Sequence, residues 1–110
     1  MNKNVSILCA GLVAALLAGC VSPIPEADVS FAGEKLFNGY VHDNVECFAC
    51  HAGDGSGTWM GSNLIGIGER KSREEISDAI RKGPGMMPDY EGKLTDDELD
   101  EIVDWLISLK

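Results

Sequence analysis

Three side chains able to hold a cofactor stand together at Cys47, Cys50 and His51, in the order C-x-x-C-H. Two thiols three positions apart on a turn of helix can each add across one vinyl group of a haem. The next residue then lies under the iron and offers an imidazole nitrogen. Other chemistries compete for the same residues. A thioredoxin-like pair needs no histidine and normally sits in a βαβ setting, which the sequence does not show. A structural zinc site needs four nitrogen or sulfur ligands, and this stretch supplies three. A disulfide between Cys47 and Cys50 leaves His51 without a role. Covalent haem is the reading that uses all three.

A haem iron bound by one histidine needs a second axial ligand if it is only to move electrons, and a thioether sulfur raises its potential. Met86-Met87-Pro88 follows the helix stop Gly83-Pro84-Gly85. A residue before proline is held extended, which suits a strap laid across a ring face. Met86 and Met87 are therefore both candidates. Met60 is a third sulfur, though filling a gap in the core is its default role. His42 reads as a surface histidine, because the chain would have to double back to bring it over the ring. The run from Ala52 to Gly68 contains Gly53, Gly55, Gly57, Gly61, Gly66 and Gly68. That density predicts irregular chain without helix. It reads as a loop against the haem edge, with Trp59, Leu64 and Ile65 as apolar contacts. It holds no phosphate-loop signature.

Three helices have to position these groups. Phe31 to Tyr40 suits a short amphipathic helix, with Leu36 and Tyr40 four apart and Gly33 and Phe37 four apart. Ser72-Arg73-Glu74-Glu75 is a capping box, and Ile76, Ala79 and Ile80 follow at helical spacing, predicting a helix over about 73–82. Thr95-Asp96-Asp97-Glu98 is a second box, with acids beside the positive end of the helix. Leu99, Ile102, Val103 and Leu106 then mark a buried stripe, with Trp105 and Leu109 beside it.

Taken together, residues 31–110 resemble the class I, mono-haem c-type cytochromes. Gly33-x-x-x-Phe37 ahead of C-x-x-C-H resembles that family's first helix, which crosses the last one, and Trp105 resembles the aromatic packed at the crossing. Gly61-Ser62-Asn63-Leu64-Ile65-Gly66 resembles the family's G-P-N-L-x-G, whose proline carbonyl accepts the outward N–H of the axial histidine. Ser62 departs from that pattern: it keeps a carbonyl but loses the fixed φ of proline. Gly-x-Met-Pro followed by G-K-L-[ST]-D-x-E resembles the axial-ligand region, in which Met87 matches the ligand and Met86 the variable position before it. Arg70 and Lys71 read as solvated; the resemblance implies, as the alternative, that Arg70 approaches a haem propionate. It implies an all-α fold, a small cytochrome c with three main helices and glycine-rich loops around one covalent haem c. The thioethers would form at Cys47 and Cys50, with His51 and Met87 on the iron.

Residues 1–19 read as an export signal: Lys3 in the n-region, then Val5 to Ala18 without charge, too short to span a bilayer. Leu17-Ala18-Gly19-Cys20 resembles the bacterial lipobox, implying cleavage before Cys20 and lipidation of that residue. Residues 20–30 follow as a lipidated N-terminus and extended tether, with Pro23 and Pro25. Ten residues at roughly 3 Å each would let the domain stand up to about 30 Å from the membrane. The expected location is a bacterial membrane facing the periplasm or exterior. By analogy with enterobacterial sorting, the absence of Asp after Cys20 favours the outer membrane.

With Cys9 and Cys20 in the leader and Cys47 and Cys50 in the motif, no cysteine pair remains for a structural bridge. The net charge of −9 argues against nucleic acid and against docking on anionic headgroups. It favours redox protein partners with basic docking surfaces. The expected function is that of a membrane-tethered one-electron carrier and not an enzyme. The alternatives are a haem subunit of a larger oxidoreductase, or a ligand-binding, sensory or peroxidase-like domain if the sixth position is open.

Overall fold

The computed structural model describes residues 21–110; Cys20 and the leader before it lie outside them. The fold is all-α. Five helices run in order: α1 (Ala32–Phe37), α2 (Phe48–His51), α3 (Ile67–Arg70), α4 (Arg73–Lys82) and α5 (Asp96–Ser108), preceded by a 3-10 turn at Glu26–Asp28. No strand occurs among the described residues.

Helix α5 is the frame. Thr95 starts it by accepting the Glu98 N–H, and Glu98 returns the bond by accepting the Thr95 N–H at 2.9 Å. Its buried residues are Leu99, Ile102, Val103, Trp105 and Leu106, the expected stripe with Trp105 fully included. Helix α4 opens on the same reciprocal cap between Ser72 and Glu75 and buries Ile76 and Ile80. Gly83 ends it in the left-handed region at φ 64°, a conformation that costs glycine little.

Helix α1 crosses α5 as the sequence implies. A Cβ built on Gly33 would fall 2.0 Å from the Glu101 carbonyl oxygen, so only glycine allows the two backbones this approach. One turn on, Phe37 is 1% exposed and its ring meets Trp105 at 4.8 Å between centroids, tilted by 55°. Such tilted aromatic pairs add about 0.5–1.5 kcal/mol beyond the area they bury. The helix is shorter than the expected Phe31–Tyr40: Phe31 caps it, 61% exposed, and Asn38 ends it.

Two further segments differ from their sequence reading. The glycine-rich run does contain a turn of helix, α3. Gly68 sits inside it because an added Cβ would meet the Ile107 Cα at 3.2 Å, so close packing on α5 places glycine there. The stretch read as a tether is docked from Ile24 onward. The Ile24 N–H donates to Asn38 Oδ1 at 2.9 Å, and the Tyr40 hydroxyl donates to the Ile24 carbonyl at 2.7 Å. Asn38 is 1% exposed and also donates to the carbonyls of Glu34 and Gly53, at 3.0 and 3.1 Å. A buried amide with all these partners satisfied holds the incoming chain, α1 and the segment after His51 together. Val29, on the same stretch, is buried at 7% exposure. His42 is half-buried, and its Nε2 lies 2.6 Å from Glu98 Oε2. It ties the chain before α2 to the start of α5 and takes no part in the cavity described next.

Candidate functional site

The Cys47–His51 stretch is built by its own backbone. The N–H groups of Cys50 and His51 both donate to the Cys47 carbonyl, at 3.3 and 3.0 Å. This turn sets both thiols and the imidazole on one cavity wall. Immediately afterwards Ala52 takes φ 63° and ψ 154°, the one non-glycine residue with positive φ among the described residues. That conformation is costly for alanine, by about 1–3 kcal/mol, and it ends the short helix.

Two adjoining cavities of about 530 and 510 Å³ share Cys47, His51, Ser62, Pro84 and Met87 in their walls. The first also takes Cys50, Met60, Met86 and Tyr90. The second is backed by Phe37, Leu64, Ile80, Ile102 and Leu106, the apolar faces of α1, α4 and α5. A flat, largely apolar group could lie against this wall, with its polar edge toward the surface. The Phe37 ring stands 6.4 Å from the His51 ring between centroids, so the helix crossing backs the imidazole directly.

The ring nitrogens of His51 have separate duties. Nδ1 lies 2.8 Å from the Ser62 carbonyl oxygen and must carry the proton to donate to it, which leaves Nε2 with its lone pair for a metal. Serine at this position therefore keeps the carbonyl in place. The loop is fixed against the motif by close packing: a Cβ on Gly61 would fall 2.6 Å from the Cys50 carbonyl oxygen. The Thr58 hydroxyl donates to that same oxygen at 2.6 Å.

In the lining of both cavities Met87 is half-buried against the core cluster, while Met86 is 90% exposed. The strap lies back on the end of α4. The Met87 N–H donates to the Pro84 carbonyl at 3.1 Å, and the Tyr90 N–H reaches the Ile80 carbonyl at 3.1 Å. A Cβ on Gly83 would fall 2.5 Å from the Met87 carbonyl oxygen. Met60 lines the outer cavity but is 41% exposed.

The donor set, two thiols and an imidazole on one cavity wall, fits a covalently held haem. Burial pushes the Cys47 thiol up to about 12, so it stays protonated at neutral pH. Among the described residues no group of three or more His, Cys, Asp or Glu side chains is placed to hold a metal ion.

Of the residues expected at the site, Cys47, Cys50, His51, Met87 and Leu64 are brought to these cavities. Trp59 is not: it is 88% exposed and lines neither. Arg70 is turned to the glycine-rich loop, donating from Nη1 to the Ile65 carbonyl at 3.0 Å and from Nη2 to the Asn63 carbonyl at 3.2 Å. Tyr90 was missed by sequence reasoning. It is buried at 8% exposure in the wall of the outer cavity, and burial pushes its phenol up to about 12. The available signal was an aromatic residue two places after Met-Pro in a loop otherwise short of apolar groups.

Residues 32–106 match the family described as cytochrome C oxidase, cbb3-type, subunit III. Cytochrome c-550 of Bacillus subtilis (strain 168) is 36% identical over 66 residues, covering 60% of this chain and 52% of that protein. The chain thus spans about half the length of that relative. Cytochrome c-555 of Methylococcus capsulatus is 26% identical over 91 residues, covering 82% of this chain and 72% of the relative. A cytochrome c6 of Leptolyngbya boryana is 29% identical over 75 residues, covering 64% and 81%.

Proposed function

Because the chain belongs to the cytochrome c family and binds one covalent haem c, we propose that it is a one-electron carrier with His51 and Met87 as axial ligands and Cys47 and Cys50 as thioether links. The observation that carries the proposal is the convergence of these four side chains on one cavity, with His51 Nδ1 committed to a carbonyl and Nε2 free. The haem supplies the Fe(III)/Fe(II) couple.

The protein's part is to hold that couple still. The two cysteines fix the ring covalently. The Ser62 carbonyl orients the imidazole and makes its ligating nitrogen more basic. The Gly83–Met87 strap would supply a thioether, a ligand that favours a high potential. Phe37, Ile80, Ile102 and Leu106 keep water from the inner face. With His51 and Met87 both ligating the iron, no position would stay open for substrate.

Tethering belongs to the same proposal. Cleavage before Cys20 and its lipidation would hold the carrier at a bacterial membrane, facing the periplasm or exterior and preferably the outer membrane. With Ile24 docked, the leash from Cys20 is only some four residues, or about 13 Å at full extension. The domain would then sit close to the bilayer, where its acidic surface meets redox partners with basic docking sites.

Comparing the oxidised optical spectra of the Met87→Ala and Met86→Ala holoproteins tests the ligand assignment. The far-red charge-transfer band of a thioether–iron bond should vanish in the first and persist in the second. The reverse pattern would transfer the ligand role to Met86. A second reading, a haem subunit within a larger oxidoreductase, is favoured by the description of the matching family. Gentle detergent extraction and sizing of the native protein separates the two: a carrier runs alone and a subunit runs with partners.

A further inference from the structure

We infer that Ile24 and Asn38 are positioning residues for His51: through them the N-terminal strap, residues 24–29, braces the strained turn that immediately follows the histidine. The inference rests on the reading of His51 as the axial ligand. Alanine persists in the conformation of Ala52, at φ 63°, only where its surroundings over-determine it. If that turn relaxes, the imidazole beside it loses its fixed seat.

Three bonds close the turn. The Gly57 N–H donates to the His51 carbonyl at 2.8 Å, and the Gly55 N–H donates to the Ala52 carbonyl at 3.0 Å. Both are local to a loop whose glycines leave the backbone free to move. The third bond comes from outside the loop: Asn38 Nδ2 donates to the Gly53 carbonyl at 3.1 Å. Asn38 ends α1, and the same nitrogen donates to the Glu34 carbonyl at 3.0 Å, so a helix carries this brace.

The strap completes it. The amide of Asn38 has one acceptor, Oδ1, and the Ile24 N–H fills it at 2.9 Å. Ile24 also lies directly on Gly53. A Cβ built there would fall 2.8 Å from Ile24 N and from Ile24 Cγ1, and 2.6 Å from Asn38 Oδ1. From the other side the Tyr40 hydroxyl holds Ile24 by donating to its carbonyl at 2.7 Å. At 1% exposure, Asn38 has no water to replace a lost donor unless the contact opens. Residues 24–29 line neither cavity, so their influence on the histidine passes through Asn38 and Gly53.

The test compares Ile24→Pro, Tyr40→Phe and Val29→Ala holoproteins with the natural protein. Ile24→Pro removes the N–H and keeps the carbonyl that Tyr40 uses. Tyr40→Phe removes one hydroxyl. Val29→Ala cuts back a buried side chain at the far end of the strap, whose N–H donates to Glu26, and leaves the bonds of Asn38 in place. Proton NMR of the reduced, folded proteins reads hydrogen exchange at His51 Nδ1, and thermal melting reads overall stability. Ile24→Pro should exchange about tenfold faster, the equivalent of about 1.4 kcal/mol. Tyr40→Phe should fall between it and the natural protein. Val29→Ala should melt at a lower temperature and exchange at the natural rate.

Natural exchange in Ile24→Pro, or equal acceleration in Val29→Ala, overturns the brace. If Ile24→Pro fails to hold haem, natural exchange in Tyr40→Phe overturns it equally. A natural protein lacking low-spin histidine ligation would instead refute the ligand assignment on which the inference stands.

Discussion

Replacing Gly33 with alanine adds one methyl group where α1 meets α5, and its cost can be worked from the coordinates. The new Cβ would lie 2.0 Å from the Glu101 carbonyl oxygen, 2.6 Å from the carbonyl carbon and 3.0 Å from the Ile102 Cα. All three are backbone atoms of a capped helix, so no side chain can swing aside. Contact near 3.5 Å is restored only if the helices part by roughly 1–1.5 Å. That movement opens the Phe37–Trp105 contact and withdraws Phe37 from behind His51. Overpacking costs about 1–3 kcal/mol, and rigid backbone on the receiving side puts this case at the upper end. Alanine's better helix propensity returns up to about 1 kcal/mol. The net loss is about 2 kcal/mol. For a domain of this size each kcal/mol moves Tm by about 4–8 °C, so melting should fall by about 8–16 °C. Thermal unfolding of the holoprotein, followed by far-UV circular dichroism and by the Soret band, reads both helix and haem environment. A Tm within about 2 °C of the natural protein, with an unchanged Soret band, would refute the crossing as the support of the site.

Asn38→Ala removes a buried amide that serves Ile24, Glu34 and Gly53, and should cost about 2–4 kcal/mol because backbone groups lose their partner. Limited proteolysis should also cut the released N-terminal strap, and a variant as resistant as the natural protein would show that the strap is held otherwise. Ala52→Gly should hold its stability or gain up to about 1–2 kcal/mol, since glycine relieves the strained turn after His51; a clear loss by chemical denaturation would contradict the strain assigned there. The Thr95 backbone N–H, with His42 beside it, holds the Glu98 carboxyl below its ordinary value. A lowered folded-state value means stability that is present above the ordinary glutamate range and lost as pH falls through the folded value. Urea midpoints of Glu98→Gln and the natural protein should thus differ at neutral pH and converge in acid; a gap that widens in acid would reverse the sign.

The helices that sequence revealed best were those whose ends carry reciprocal chemistry. Ser72 with Glu75 and Thr95 with Glu98 marked both starts, and each pair makes both of its bonds in the structure. The Gly33–Phe37–Trp105 crossing was legible through the family resemblance; the helical spacing of Gly33 and Phe37 alone shows only an amphipathic helix. The loop was legible only in part. Without periodicity, an apolar residue in it carries no sign of facing inward or outward, and Trp59 faces outward while Leu64 faces the cavity. Arg70 was visible as a charge near the site, but its direction depends on which carbonyls the loop turns toward it. The strap was hidden for a related reason. Its prolines signal extended chain correctly, whereas docking depends on one buried side-chain amide, Asn38, fourteen residues away. The one-turn helix at Gly68 shows tertiary packing on Ile107 overriding the low helix propensity of glycine.

The central claim is that Cys47, Cys50, His51 and Met87 hold one covalent haem that cycles between two oxidation states without exchanging ligands. A spectroelectrochemical titration of the holoprotein tests it most directly. The account predicts a single one-electron wave, with low-spin spectra throughout and haem that stays on the polypeptide through acidic solvent extraction. High-spin iron that readily takes carbon monoxide, or haem released by that extraction, would contradict it.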